Sequence, residues 1–276
     1  MDIIGLDALI LSALREDIGT GDITTACCIP EDNRSEARFL AKADGVVCGI
    51  GVAARVFHLL DARTALIPCM KDGDRAQKGA LIAELRGPSR GILTGERVAL
   101  NLMQRLSGIA TATAAAVEAM AGTGAKICDT RKSVPGLRML EKYAVRVGGG
   151  RNHRFNLADG VLIKDNHIAA SGGIAAAVRA ARDYVPHGMK IEVEAGTLGE
   201  VGQALEAGAD IILLDNMSVP QMRAAVALVS GRALTEASGN MGERDLAEVA
   251  KTGVDFISVG ALTHSVKALD ISLRFK

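Results

Sequence analysis

From residue 126 onward, six short runs rich in apolar residues recur along the chain: KICDT (126–130), VLIKD (161–165), KIEVEA (190–195), DIILLDN (210–216), RALTEAS (232–238) and DFISVGA (255–261). The last four begin about every 22 residues, the length of a strand, a helix and two tight loops. The stretches between them, GGIAAAVRAARDYV, LGEVGQALEAGA, SVPQMRAAVALVS and GERDLAEVAKTG, read as helices. A strand–helix–strand rhythm of this period predicts right-handed βαβ units on a buried parallel sheet. Every run ends in polar or small residues: Thr130-Arg131-Lys132, Lys164-Asp165-Asn166, Glu194, Asp215-Asn216, Ser238-Gly239 and Gly260. A barrel gathers chemistry at the C-terminal ends of several strands, whereas an open doubly wound sheet draws mainly on one switch point. No G-x-G-x-x-G follows the first run, so the barrel is favoured; six strands fall short of eight, and it is expected to be incomplete.

Upstream the pattern differs. Leu6, Leu9, Ile10, Ala13 and Leu14 share one helical face. Short runs between 35 and 86, split by turn signals, suggest a small antiparallel sheet with attached helices. A long helix is predicted from Thr94, with Val98, Leu102, Leu106 and Ile109 on one face. Arg97, Asn101 and Arg105 line its opposite face, either as a solvated surface or as cations presented to the chain's own site or a partner's.

Composition excludes several classes. Hydrophobic residues make up 49% of 276, enough for packed cores and against disorder. Thirty-two Lys+Arg balance 32 Asp+Glu, and aromatics are 3%, against a nucleic-acid or membrane-surface binder. Five cysteines without C-x-x-C spacing argue against a disulfide framework or zinc site and for a reducing cytoplasm. The start lacks a basic n-region and a cleavage site, and no uncharged apolar run reaches the length of a membrane span.

The neutral total conceals a separation of sign. Residues 126–167 hold nine Lys+Arg and four Asp+Glu (+5), and residues 190–255 hold five and eleven (−6). Arg suits carboxylates and phosphates through bidentate forks, and carboxylates at neighbouring strand ends suit Mg²⁺. Arg131, Lys132, Arg154, Lys164, Glu194 and Asp215 stand where strand ends converge, and are assigned to function rather than to structural pairing. Arg138, Glu141, Lys142 and Arg146 are assigned to solvated faces or structural ion pairs. His153, with no second His nearby, fits substrate contact better than a transition metal. Asn166-His167 caps the next helix or orients Lys164. Ser238-Gly239-Asn240 and Gly260 could cradle a phosphate, although ordinary strand-to-helix turns look the same. Cys128 reads as a buried core thiol.

Long blocks of this sequence resemble the quinolinate phosphoribosyltransferase family: EDIGTGDITT (16–25), GERVALNLMQRLSGIAT (95–111), DTRKSVPGLR (129–138), EKYAVRVGGGRNHR (141–154), LIKDNH (162–167), EVE (192–194), LDNM (214–217), EASG (236–239) and ISVGALTHS (257–265). The resemblance implies an N-terminal α/β sandwich over 1–110, joined by the tail 266–276, and an incomplete α/β barrel over 111–265. It implies transfer of ribosyl phosphate from phosphoribosyl pyrophosphate to the nitrogen of quinolinate. Pyrophosphate and CO₂ are lost, giving nicotinate mononucleotide for NAD synthesis. By motif position, Arg105, Arg131, His153, Arg154 and Lys164 would hold the two carboxylates, with Arg105 reaching in from the neighbouring subunit of a homodimer that is open to further assembly. Lys132 would face pyrophosphate, and Glu194 and Asp215 would bind Mg²⁺ and the ribose hydroxyls. Ser238, Gly239, Asn240, Gly260 and Ala261 would take the 5′-phosphate, with Thr130 and Val259 completing the substrate-binding set. Many members have Gly where this chain has Asn240, a residue that tolerates left-handed backbone. Alternatives are a paralogue with another acceptor, such as a molybdate-transport-associated protein or a nicotinate phosphoribosyltransferase, and a catalytically silent ligand-binding protein. The five cations argue against the first, and Lys132, Glu194 and Asp215 argue against the second.

Overall fold

The structure is a computed structural model and describes residues 4–276. Its elements begin with α1 (Leu6–Ile18), α2 (Ile23–Cys28), β1 (Arg34–Ala41), β2 (Gly45–Val46), α3 (Ile50–Leu60), β3 (Ala65–Pro68), β4 (Arg75–Ala76), β5 (Leu81–Pro88) and α4 (Ser89–Ala119). There follow β6 (Lys126–Cys128), α5 (Arg138–Val147), β7 (Val161–Ile163), α6 (Asp165–Ser171), α7 (Ile174–Tyr184), β8 (Ile191–Ala195), α8 (Leu198–Glu206) and β9 (Ile211–Asp215). The chain ends with α9 (Val219–Val229), β10 (Leu234–Ser238), a 3₁₀ turn (Met241–Glu243), α10 (Leu246–Ala250), β11 (Phe256–Ser258), α11 (Ala261–His264) and β12 (Ile271–Phe275).

Two compact units result. Among the described residues, the first comprises 4–114, 135–149 and 266–276. Its antiparallel sheet has the order β12-β1-β5-β3, with the C-terminal strand paired to β1 from Ala37↔Phe275 to Ala41↔Ile271. Alternation along β1 turns Ala37, Phe39 and Ala41 inward. Phe39 meets Phe57 of α3 edge to face at 6.2 Å. One continuous apolar cluster joins the sheet to α3, to Met103 and Leu106 of α4, and to Leu140, Ala144 and Val145 of α5.

This grouping divides the chain at other places than the expected limit at 110. The division falls inside α4, after Ala114, and residues 135–149 group with the first unit. The cause is α5, whose apolar face completes the first unit's core. Of the two readings given for Glu141 and Lys142, a solvated face or a structural ion pair, the first is excluded, since they are buried at 0% and 1% exposure, and Glu141 is in an ion pair. The Arg105 guanidinium holds the Glu141 carboxylate through Nε (2.8 Å) and Nη2 (2.5 Å). The long helix starts at Ser89, directly after Pro88, and not at Thr94. Its early glycines Gly91 and Gly95 allow close packing on Asp61 and Phe57, which a propensity reading undervalues.

The second unit comprises residues 115–134 and 150–265. Its six strands are all parallel, in the order β6-β11-β10-β9-β8-β7, the arrangement of an incomplete α/β barrel. Outward residues such as Val193, Ile212, Leu214 and Ala237 are buried under α7, α8 and α9. Residues 151–154 lie along the free edge of β6 through a single bridge, Cys128↔Arg151. The Arg154 Nη1 donates to the Gly160 carbonyl just before β7, at 2.9 Å. This short segment therefore stands in the gap between the first and last strands of the open barrel.

Candidate active site

Strand alternation decides what faces the barrel interior. Along β8, Glu192 and Glu194 share the inner face, and along β10 Glu236 and Ser238 share it. The C-terminal mouth is a cavity of about 810 Å³. Its basic wall carries Arg131, Lys132, Arg154 and Lys164, joined by Thr130 and His153; its acidic wall carries Glu194 and Asp215 at strand ends, with Glu236 and Glu243 also in the lining. Ser238, Gly239, Asn240, Gly260 and Ala261 form its rim. A larger surface depression of about 910 Å³ in the first unit, beside α1 and α3, is lined mostly by apolar groups around the Arg55–Asp7 ion pair and lacks this convergence.

The loops that carry these groups are tied locally. The Lys132 amide donates to the Thr130 hydroxyl (3.0 Å), and the Thr263 hydroxyl donates to the Lys132 carbonyl (2.6 Å), setting the 130–132 turn. The Lys164 amide donates to Nδ1 of His167 (3.0 Å), so His167 serves as the helix cap that was one of its expected roles. Asp129, fully buried below this loop, accepts the His153 amide (2.9 Å) and the Asn152 side chain (2.5 Å).

On the acidic wall, Glu194 is in register with Leu213, so Asp215, two residues on, is its diagonal neighbour on the same face. The Lys164 Nζ lies 3.5 Å from Glu194 Oε2. Burial pushes the Glu194 carboxyl above the usual range; the Lys164 charge offsets part of this and the Asp215 charge adds to it. Burial likewise holds the Arg154 guanidinium below its ordinary value, with Arg131 acting in the same direction and Glu192 against. Two partly desolvated charges of opposite sign thus face one space, where their fields are stronger than in water.

The rim turn after β10 needs left-handed backbone at two residues, Gly239 (φ 95°) and Asn240 (φ 52°). A Cβ on Gly239 would also collide with the Asn216 side chain. Asn240 adopts the left-handed conformation expected for Asn at this position.

Two expected residues stand apart from these walls. Val259 is buried, and its amide donates to the Cys128 carbonyl (2.9 Å) within the sheet. Arg105 belongs to the first unit, bound to Glu141. Arg97 and Asn101, on the same face of α4, are exposed. Cys128 is buried, as expected.

Three further polar residues join the site: Asn216, expected only as a strand end, and Glu192 and Glu236, to which the sequence assigned no role. Asn216 donates to Asp215 Oδ2 at 2.8 Å, and its own amide donates to the Ser238 carbonyl at 3.0 Å. Glu192 and Glu236 are buried inside the barrel at 4% exposure each and reach His153. The signal was present in the alternation I-E-V-E and T-E-A-S, which places each hidden Glu on the same face as a strand-end residue already singled out.

Comparison with known proteins agrees with this geometry. Residues 22–107 match the N-terminal domain of quinolinate phosphoribosyl transferase, and residues 109–274 match its C-terminal domain. A probable carboxylating nicotinate-nucleotide pyrophosphorylase of Bacillus subtilis is 49% identical over 99% of this chain and 94% of its own length. The chloroplastic enzyme of that name from Arabidopsis thaliana is 47% identical over 98% of this chain and 82% of its own. Among solved structures, NadC from Streptococcus pyogenes superposes with a TM-score of 0.93 at 44% identity, covering 100% of this chain and 99% of that one. The nicotinate-nucleotide pyrophosphorylase of Ehrlichia chaffeensis gives 0.95 at 39% identity, with 100% of both chains covered. With both halves matched in order and a cavity walled by opposed charges at the strand ends, this chain belongs to the quinolinate phosphoribosyltransferase family.

Proposed function

We propose that this enzyme transfers the ribosyl phosphate of phosphoribosyl pyrophosphate to the ring nitrogen of quinolinate, giving nicotinate mononucleotide, pyrophosphate and CO₂. The observation that carries this reading is the one cavity that gathers Arg131, Lys132, Arg154 and Lys164 with the strand-end carboxylates Glu194 and Asp215. A planar dicarboxylate fits Arg131, Arg154 and Lys164, with His153 beside them. Lys132 faces the pyrophosphate, and the 238–240 and 260–261 turns face the 5′-phosphate.

The nitrogen lone pair forms the bond to ribose C1 as the C1–oxygen bond breaks and its electron pair leaves with pyrophosphate. Glu194 and Asp215 stabilise the positive charge that develops at the sugar. Holding the ring in line with C1 makes the attack effectively intramolecular, so no enzyme nucleophile is required. The C2–carboxylate bond then breaks, its electrons remain beside the cationic nitrogen, CO₂ departs and a proton takes its place at C2.

Glu194 and Asp215 also fit Mg²⁺: both offer hard oxygen donors on neighbouring strands, and their mutual repulsion and burial favour a cation between them. When bound, Mg²⁺ neutralises the charge of the departing pyrophosphate. Arg105, which lies outside the cavity lining of its own chain, is assigned to the site of a neighbouring subunit in a homodimer. No helix among the described residues is long and apolar enough to cross a membrane. All five cysteines are free thiols, which suits the reducing cytoplasm we assign to the enzyme.

The test is incubation of the protein with quinolinate, phosphoribosyl pyrophosphate and Mg²⁺. Release of CO₂ together with nicotinate mononucleotide is expected, and absence of both overturns the reading. Mixing Arg105→Ala with Lys164→Ala chains should regain activity that neither variant has alone. No recovery overturns the shared site.

A further inference from the structure

Beneath the cavity, where a barrel interior is normally filled by apolar layers, this chain places an ionisable cluster. The Nε2 of His153 lies 3.1 Å from Glu192 Oε2 and 3.7 Å from Glu236 Oε1. The second oxygen of Glu192 is buried without a protein hydrogen-bond partner. Burying two carboxylates here carries a desolvation cost that apolar side chains would avoid. The other ring nitrogen of His153, Nδ1, accepts the backbone amide of Arg154 at 2.7 Å. With Nδ1 accepting, the ring proton resides on Nε2 and is directed at the two carboxylates.

Residues 151–154 hold to the sheet by one bridge, so strand pairing alone leaves residue 154 unset. The imidazole supplies the missing constraint. Arg154 is then fixed at its amide by His153 and at its guanidinium by Gly160, while it faces the cavity.

We propose that Glu192 is a positioning residue: by accepting a hydrogen bond from Nε2 of His153 it locks the ring, with the Glu236 carboxyl beside it at 3.7 Å, and the ring sets Arg154 against the dicarboxylate substrate. This rests on the quinolinate reading for the ligand, but the ring geometry can be read without it. Glu192 lies outside the lining of the cavity, so its effect is expected through the ring and Arg154 alone; Glu236 also lines the cavity.

The experiment compares Glu192→Leu with Glu192→Gln, the latter retaining an acceptor for the Nε2 proton. Quinolinate binding is measured by calorimetry, KM for phosphoribosyl pyrophosphate and kcat by turnover, and the His153 tautomer by ¹⁵N imidazole NMR, assigned among five histidines with His153→Asn. Glu192→Leu should weaken quinolinate binding about tenfold, with the donor KM and kcat within about twofold, and Glu192→Gln should restore binding to within about threefold. The wild-type ring should show the proton on Nε2, and Glu192→Leu should lose that signature. Glu236→Leu, which removes no hydrogen bond from the ring, should weaken quinolinate binding less than Glu192→Leu. Equal losses for both substrates, no rescue by Gln, or an unchanged ring signature would overturn the proposal. If Glu192→Leu fails to fold, Glu192→Met, which also lacks an acceptor for the ring N–H, is measured in its place. If the wild type lacks turnover, the functional reading fails and the ring signature alone judges the positioning role.

Discussion

Replacing Glu236 by Gln should make the protein more stable at alkaline pH and leave it nearly unchanged at acid pH. Burial, reinforced by the Glu192 charge, pushes the Glu236 carboxyl up to about 7, and His153 and the Ser258 hydroxyl offset only part of this. The unfolded chain titrates this group near 4.5. Because the folded value lies above the unfolded one, its contribution is fully present below pH 4.5 and is lost as pH rises through 7. Once both states are ionised, the folded state has lost on the order of 3 kcal/mol from this one residue. By pH 5.5 about 1 kcal/mol of that is already gone, so about 2 kcal/mol falls between pH 5.5 and pH 8.5. Gln has the same shape and carries no charge at either pH. Urea unfolding of both proteins at the two pH values reads the difference directly, with the slope m checked for constancy. The stability gap should move by about 2 kcal/mol in favour of Glu236→Gln on going to pH 8.5. A gap that stays constant with pH would refute the reasoning, because the buried carboxyl would then not be the group that titrates.

Three other substitutions probe the fold and the rim. In Gly108→Ala the new Cβ would strike the Lys267 carbonyl and the Ala268 backbone, neither of which can swing away; a loss of about 3 kcal/mol is expected by thermal unfolding. Asn240→Val forces a β-branched residue into the left-handed region and should cost about 2 kcal/mol and raise KM for phosphoribosyl pyrophosphate, while Asn240→Gly keeps both near wild type. Asp22 caps α2 through the Thr25 amide (3.0 Å) and accepts the Thr94 hydroxyl of α4 (2.9 Å). Asp22→Ala should therefore lower stability by about 1 kcal/mol, and Asp22→Asn, which keeps an acceptor, by less.

The cavity's charged walls were legible where a residue ends a strand. A charge that terminates an apolar run at a regular period is exposed to only a few explanations, and Lys164, Glu194 and Asp215 all follow that pattern. Glu192 and Glu236 obey the same alternation but sit in mid-strand, where a charge reads as an interruption until the barrel closes around it. Glu141 and Lys142 left two readings open for a related reason: charges on a short helix suit a solvated face or a structural ion pair equally when the sequence gives no sign of what covers them.

Local sequence determined the elements of this protein and their order, because hydrophobic period, glycine turns and strand-end residues act over a few neighbours. It also determined which groups would reach the C-terminal mouth of the barrel, since direction along a strand alternates strictly. Tertiary structure alone decided that residues 135–149 complete the first unit's core rather than the barrel, because an amphipathic helix specifies that one face is buried but not against what. It alone brought His153, from a segment outside the regular strands, within hydrogen-bonding distance of a carboxylate from β8 and beside a second from β10, a meeting that arises only when the sheet curls.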